Sequence, residues 1–256
     1  MYHKLFDNRL GNRSFLKKLN KKLSVYAQIM RSQCKTQITH ASVNKRSQYK
    51  NLFPLLPSVK SKAKRLIDLI GALVGLSITA VLYIFIAPAI YFDDPGPIFF
   101  RQTRVGLHGQ TFCIWKFRSM VKDAEKHKHL VTNEAEGYIF KNQNDPRITR
   151  IGHFLRRTSL DEFPQFLNVL KGEMSLVGTR PPTPDEVSQY LPHHFKRLQV
   201  KPGLTGEWQV NGRSMVKDFE EIVNMDLLYQ RQWSLGYDLK LIFKTVVVVF
   251  TKQGAY

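Results

Sequence analysis

The chain has 256 residues, of which 39 are basic and 20 acidic, so its formal net charge at pH 7 is +19. Hydrophobic residues make up 43% of the chain, which suits one domain with a core plus additional segments. The two cysteines, Cys34 and Cys113, lie far apart without a metal-like spacing, so composition indicates neither a disulfide framework nor a cysteine metal site.

The basic excess is concentrated at the N-terminal end. Residues 1–65 hold sixteen lysines and arginines against a single acid, Asp7, which gives this part a formal charge of +15. A block of like charge is typical of a solvated segment, so residues 1–61 are predicted to be a basic, disordered tail. Anionic membrane lipids are its predicted partner, because an apolar segment follows. Nucleic acid is the other usual partner of a basic tail. In this chain the hypothesis of nucleic-acid binding rests on charge alone, so we predict that the tail does not bind nucleic acid.

A long apolar segment comes next. Residues 69–92 carry no charge, and as a helix these 24 residues would extend ~36 Å, enough to cross the hydrocarbon core of a bilayer. Lysines and arginines flank the segment on both sides, and the positive-inside rule favours both flanks in the cytoplasm. A re-entrant membrane helix over residues 62–92, which enters and leaves one leaflet, satisfies this rule. A spanning helix is the alternative.

Residues 93–256 are predicted to form a small cytosolic domain, so the fold class is α/β (α+β) and membrane-associated. Residues 98–104 and 111–117 alternate in polarity around a glycine-containing turn, which predicts a β-hairpin. A solvated acidic turn is predicted at Asp93–Asp94, and short strands are predicted over 175–178 and 208–210. Helices are predicted over 120–130 and 160–170, and a helical stretch over 184–198 carries His193 and His194 at the surface. Two amphipathic helices follow over 219–231 and 237–252, and the second lies either near the membrane surface or in the core.

The segment from Arg156 to Pro182 carries the strongest chemical signal. Ser159 and Glu162 have the spacing of a capping box, which predicts Ser159 as the N-cap and places Asp161 in the first helical turn. Backbone amides and the positive end of the helix dipole meet there, so the same place suits a phosphate. Pro164 falls in the second turn, where proline disfavours an α-helix. A well-capped surface helix is the structural alternative.

Three motifs in order resemble the bacterial sugar transferase family: Arg-x-Thr-Ser-Leu-Asp-Glu-x-Pro-Gln, then Asn-Val-Leu-Lys-Gly-Glu-Met-Ser-Leu-Val-Gly-x-Arg-Pro, then Lys-Pro-Gly-Leu-Thr-Gly-x-Trp-Gln-Val-Asn-Gly-Arg. The similarity covers about residues 62–256. Two places depart from the family pattern. Ala80–Val81 stands where the family has a helix-breaking Ser-Pro pair, and Thr179 replaces the first proline of Gly-Pro-Arg-Pro.

The resemblance implies a monotopic polyprenyl-phosphate hexose-1-phosphate transferase at the cytoplasmic face of the bacterial plasma membrane, acting in the first step of exopolysaccharide assembly. Its donor would be a UDP-sugar, with glucose or galactose as our guesses, and its acceptor undecaprenyl phosphate. Asp161 would attack the β-phosphate, release UMP and carry the sugar phosphate covalently. The implied catalytic residues are Asp161, Glu162 and Arg156, the implied substrate-binding residues are Arg104, Lys116, Arg118, Arg180, Asn211 and Arg213, and Mg²⁺ would be held by Asp161 and Glu162.

Alternatives remain open at this stage. A P-loop nucleotidase lacks its Gly-x-x-x-x-Gly-Lys-Ser/Thr motif here. A glycosyltransferase that releases UDP instead of UMP is the other enzymatic reading. A catalytically inactive basic membrane adaptor is the non-enzymatic one. A homodimer is also left open.

Overall fold

The computed structural model describes residues 55–134, 142, 144–212, 216 and 218–251. Residues 1–54 of the predicted tail and Arg213 lie outside these ranges. The α-helices are α1 (Pro57–Lys60), α2 (Lys62–Asp93), α3 (Arg150–Arg157), α4 (Phe166–Lys171), α5 (Pro184–Ser188), α6 (Glu207–Asn211), α7 (Phe219–Gln232) and α8 (Leu235–Thr251). The strands are β1 (Phe99–Val105), β2 (Thr111–Phe117), β3 (Ser175–Val177) and β4 (Gly203–Thr205), and 3₁₀ helices cover Leu107–Gly109, Ala124–Leu130, Leu160–Gln165 and His194–Gln199.

Helix α2 is the longest element and confirms the prediction of a long apolar helix. Ser61 begins it as the N-cap, because its side chain accepts a hydrogen bond from the Lys64 amide at 3.2 Å. The helix has 32 residues, or ~48 Å, so it is long and apolar enough to cross a membrane. It continues without interruption through Ala80 and Val81.

Both ends of α2 contact the folded domain. At the N-terminal end, Lys64 Nζ lies 2.7 Å from Asp238 Oδ2 of α8, and both side chains are buried. Four residues on, Asp68 is buried and its carboxylate accepts from the start of β3 at 2.9 Å. At the C-terminal end, Asp94 Oδ2 lies 3.0 Å from Arg118 Nη1, just after β2. The domain therefore lies along the length of the helix.

The outer face of α2 stays apolar and uncovered within the described structure. Its exposed large side chains are Leu66, Ile70, Leu73, Val74, Ile78, Val81, Tyr83, Ile84, Phe85, Tyr91 and Phe92. Helix α8 exposes Leu239, Phe243, Val246 and Val247 as well. Exposed apolar surface on this scale is typical of an interaction with a membrane or another protein.

Strands β1 and β2 form an antiparallel hairpin, as predicted. Phe99 pairs with Phe117 at one end and Val105 with Thr111 at the other. Both faces of β2 contribute to the core, because Ile114 and Phe117 are buried and lie three positions apart on the strand. Phe117 belongs to a cluster with Ile86 and Ile90 of α2. The hairpin is thereby fixed against the apolar helix.

The second sheet pairs β3 with β4 in parallel, and it revises one predicted strand. Gly178 and Gly203 let the two backbones meet, since a Cβ on Gly203 would lie 2.1 Å from the Gly178 amide nitrogen. The strand predicted over 208–210 is wrong, because those residues lie within α6. The chain has already formed its strand at β4 and turns after Gly206 into a helix.

Other predictions are confirmed in part. Helices α7 and α8 match the two predicted C-terminal helices, whereas the predicted helix over 120–130 is only a 3₁₀ helix, Ala124–Leu130. The surface assignment of His194 is wrong: its side chain is 1% exposed, and its Nε2 lies 2.6 Å from Glu220 Oε1. His193 is exposed, as predicted.

Candidate active site

The 3₁₀ helix Leu160–Gln165, here called the Asp161 helix, carries both candidate acids and corrects the predicted capping box. Ser159 has φ of 56°, in the left-handed region, and its side chain makes no capping hydrogen bond. An N-cap needs an extended backbone, and Ser159 instead ends α3 in the way that left-handed residues end helices. Pro164 lacks an amide hydrogen and would crowd the Leu160 carbonyl in an α-helix, which favours the tighter 3₁₀ form.

The three-residue repeat of the Asp161 helix separates its side chains into faces. In a 3₁₀ helix, side chains three positions apart eclipse one another. Ser159, Glu162 and Gln165 form one face and line a cleft. Leu160 and Phe163 form another, which packs against the core cluster around α2. Asp161 belongs to a third face and is 6% exposed.

Asp161 acts electrostatically on a partly buried arginine, Arg156. Arg156, in the last turn of α3, donates from Nε to Ser119 Oγ at 2.9 Å. Burial lowers the pKa of Arg156, and the negative charge of Asp161 opposes that lowering, followed by that of Asp145. The structure thus places Arg156 and Asp161 within electrostatic reach of each other, and neither residue lines the cleft. Arg157 is exposed.

Glu162 faces a different cation. Its Oε1 lies 2.8 Å from Lys116 Nζ of β2, and the two side chains are 38% and 23% exposed. The two adjacent acids therefore have separate surroundings: Asp161 is buried near Arg156, and Glu162 is at the cleft wall with Lys116.

Arg104 and Arg180 add positive charge to the same cleft. Arg104 Nη1 donates to the Pro181 carbonyl at 3.0 Å, and Arg180 Nη1 lies 3.2 Å from Glu186 Oε2. Burial lowers the pKa of Arg104 to about 10, and repulsion by Arg180 contributes to the lowering. Both effects disfavour the charged form of Arg104, and an anion bound between the arginines would relieve them.

The cleft is open to solvent. One side is charged, with Arg104, Lys116, Glu162 and Arg180. The other side consists of β4, of Trp208, Gln209 and Val210 of α6, and of Thr245, Val248 and Val249 of α8. The site therefore offers cations for phosphate on one wall and a mostly uncharged surface on the other.

Two other predicted substrate-binding residues have structural contacts. Arg118 is 5% exposed and pairs with Asp94 at the end of α2, and it does not line the cleft. Asn211 donates to Glu207 Oε1 at 2.5 Å and accepts from Lys244 Nζ at 3.2 Å, which links α6 to α8. Their predicted roles stay predictions, as does that of Arg213, which lies outside the described residues.

Sequence reasoning gave no role to Trp208 and Gln209, although both line the cleft. Their motif was read as a strand, which would have placed alternate side chains on opposite faces. The available signal was an aromatic and an amide side chain shortly before Asn211 and Arg213, which the family resemblance implies to be substrate-binding residues.

The described residues form a mixed helical and sheet domain that combines a basic cleft with one helix long and apolar enough to cross a membrane. Residues 59–252 match the family described as bacterial sugar transferase. The chain belongs to that family.

Several curated relatives support the assignment. A galactosyl transferase, CpsE, from Streptococcus agalactiae is 51% identical over 195 residues, which cover 75% of this chain and 43% of that protein. An undecaprenyl-phosphate galactose phosphotransferase from Salmonella typhimurium is 43% identical over 75% of this chain and 41% of its own length. The exopolysaccharide production protein ExoY from Rhizobium meliloti is 40% identical over 76% of this chain and 88% of its own length. The chain spans about two fifths of the length of the first two relatives.

Proposed function

We propose that this protein transfers a hexose-1-phosphate from a UDP-sugar to undecaprenyl phosphate, releasing UMP, as the first step of exopolysaccharide assembly. Family membership and relatives named as undecaprenyl-phosphate sugar phosphotransferases support the reaction class. The observation that carries the proposal is the cleft in which Arg104, Lys116 and Arg180 converge beside Glu162. Relatives named for galactose and for glucose support both as candidate sugars.

Asp161 is the proposed nucleophile. Its carboxylate would attack the β-phosphorus, the bond from that phosphorus to the oxygen bridging to UMP would break, and a sugar phosphate would remain on Asp161. The phosphate of the lipid would then displace it and regenerate the carboxylate. The negative charge of Asp161 is the first of the acids that act on Arg156, so the guanidinium would help to hold the carboxylate in place for the attack.

The cations of the cleft bind and stabilise phosphate charge in both steps. Arg180 presents a planar guanidinium, which matches phosphate oxygens bidentately, whereas Lys116 acts as a point charge. Removing one such preorganised contact reduces turnover by on the order of 100-fold in other enzymes. The attraction between Lys116 and Glu162 holds both side chains at the wall until a diphosphate competes for Lys116.

The donor set also fits Mg²⁺. This ion prefers one or two carboxylates together with substrate phosphates, and Glu162 offers an oxygen at the cleft wall one residue after Asp161. Glu162 would hold the ion at the cleft wall, whereas Asp161, the other predicted ligand, lies on a different face of the same helix and does not line the cleft. When bound, Mg²⁺ would supply neutralisation of the diphosphate charge.

We further propose that α2 stays in the cytoplasmic leaflet and does not cross the bilayer. Lys64 at one end and Asp94 at the other contact the same domain, so a spanning helix would require domain residues on both sides of the membrane. Side-chain hydrogen bonds from Ser77 to the Leu73 carbonyl and from Thr79 to the Gly75 carbonyl lie mid-helix, where such bonds favour bending.

The topology is tested by thiol labelling. Cysteines placed at Leu55 and Pro97, after Cys34 and Cys113 are replaced by serine, should both react with an impermeant reagent in inverted vesicles. Neither should react in right-side-out vesicles. Labelling of the two positions from opposite sides would establish a spanning helix instead.

The reaction is tested with protein in lipid particles, undecaprenyl phosphate, Mg²⁺ and a panel of UDP-sugars. UMP should be released with one sugar, and Asp161→Asn should abolish release while Asp185→Asn, at an exposed acid of α5, retains it. Trapping of a sugar phosphate on Asp161 would identify the covalent intermediate. Release of UDP would establish an ordinary glycosyltransferase, and no nucleotide from any donor would favour the adaptor.

A further inference from the structure

The uncharged wall of the cleft contains two polar atoms that lack a hydrogen-bond partner. Trp208 Nε1 and Gln209 Oε1 are buried, and neither is bonded within the described structure. An unsatisfied buried polar group costs about 1–3 kcal/mol, and native proteins keep few of them. Both residues line the cleft, so a bound ligand is the natural partner for these atoms.

The two atoms have opposite character. The indole nitrogen can only donate, and the amide oxygen can only accept. An ionised phosphate provides acceptors alone, so it would satisfy Trp208 and repel the oxygen of Gln209. The matching ligand is neutral and presents an acceptor beside a donor, as neighbouring sugar hydroxyls do and as the imide edge of uracil does.

Helix α6 holds this pair in place. Glu207, one residue earlier, accepts hydrogen bonds from Asn211 and from Tyr237 of α8, and Asn211 is bonded in turn to Lys244. The guanidinium of Arg180 lies 5.9 Å from the centre of the Trp208 ring. The neutral pair is therefore fixed next to a cation that would bind phosphate. In a nucleotide sugar, too, the uncharged groups lie next to the charged diphosphate.

We propose that Trp208 Nε1 and Gln209 Oε1 form the subsite that binds the uncharged part of the donor nucleotide sugar, while the arginines bind its diphosphate. The inference rests on the proposed function, because it takes a nucleotide sugar as the ligand. It assigns the pair a role in donor binding rather than in the chemical step.

Equilibrium binding by calorimetry tests the inference separately from turnover. The ligands are UMP, UDP-glucose and UDP-galactose, and the variants are Trp208→Phe, which keeps the ring, and Gln209→Met, which keeps the side-chain length. Each variant should weaken binding of the tighter UDP-sugar by about tenfold, the effect of losing one hydrogen bond to a buried partner. Matched controls are Trp115→Phe and Gln189→Met, which do not line the cleft.

The choice of ligands identifies the group that is bound. If UMP and the UDP-sugars weaken in parallel, the subsite binds uracil. If UMP binding is unchanged and only the UDP-sugars weaken, it binds the hexose. If both variants bind all three ligands within twofold of the wild type, the inference is wrong, even where the wild type releases UMP. Weaker binding by both variants, without UMP release by the wild type, would instead count against the proposed reaction and leave the subsite supported.

Discussion

Two groups of charged residues in this protein are built in opposite ways. At the N-terminal end of α2, Lys64 Nζ has three partners: Asp238 at 2.7 Å, the Val177 carbonyl at 3.0 Å and the Tyr229 hydroxyl at 3.4 Å. Asp238 is satisfied in turn by Tyr229 and by Trp233. In the cleft, by contrast, Lys116 and Glu162 are partly exposed, and two arginines repel each other.

The difference separates charge that holds the fold from charge that is available to a ligand. The buried group around Lys64 has its hydrogen bonds completed by the protein, so it gains nothing from solvent or substrate. The cleft group is left with positive charge that burial and mutual repulsion disfavour, and such perturbed groups cluster at functional sites. Substitutions in the first group should therefore change stability, and those in the second should change activity.

The largest expected effect is that of Lys64→Met. It leaves the carboxylate of Asp238 buried without its cation, and breaking a buried ion pair in this way costs about 3–5 kcal/mol. The free energy of unfolding, measured by urea denaturation in detergent, should fall by that amount. Lys126→Met is the control, because Lys126 and Asp123 form an exposed pair at 3.3 Å that should contribute little. Equal destabilisation by the two variants would contradict the comparison.

Next in size is the effect of Arg180→Lys on turnover. Lysine keeps the charge but loses the planar fork that can bind Glu186 and a phosphate together, so UMP release should fall on the order of 100-fold. The control is Arg150→Lys, at an exposed position of α3. If Arg180→Lys kept full turnover, the cleft cations would not be the phosphate-binding group.

Gly75→Ala tests the contact between α2 and the segment after the Asp161 helix. A Cβ at Gly75 would lie 2.4 Å from Cγ of Phe166 and 2.5 Å from both Cδ atoms, so the whole ring must move. Overpacking of this kind costs about 1–3 kcal/mol, and we expect the free energy of unfolding to fall accordingly. Gly236→Ala in α8 is the control, because the nearest atom there lies 3.9 Å away. Unchanged stability in Gly75→Ala would show that the ring adapts freely.

The sequence predicts an element of this fold well where a pattern extends over many residues, and less well where the outcome depends on the backbone conformation of one residue. Helix α2 has a long uncharged run and the hairpin has two apolar and aromatic segments around a glycine turn, and both elements were predicted. A helix was also predicted over 160–170, but its capping box at Ser159 is wrong, because the same pattern has two outcomes in this chain. Thr183 and Glu186 form a complete capping box on an extended Thr183 backbone, whereas Ser159 is left-handed at the end of α3 and forms none. Backbone conformation at the cap, set by the preceding element, decides between them.

The site shows the same limit. Local sequence and family resemblance identified Asp161, Glu162 and the cleft cations, but the pairing of Glu162 with Lys116 joins residues 46 positions apart. Arg118 looked equivalent to Lys116, two positions away, yet it lies just past the end of β2 and turns to Asp94. Contacts of this kind arise from the packing of separate elements, which no local pattern records.

The smallest expected effect is that of Lys116→Met on stability. This variant tests most directly whether the cleft charges differ from the buried charges around Lys64. Glu162 is 38% exposed and would be hydrated once its partner is gone, so the free energy of unfolding should change by less than about 1 kcal/mol. Urea denaturation under the conditions used for Lys64→Met compares the loss in free energy of unfolding for a structural lysine with that for a functional lysine. A loss as large as that of Lys64→Met would mean that the pair with Glu162 holds the Asp161 helix in place, and the division between the two charged groups would then fail.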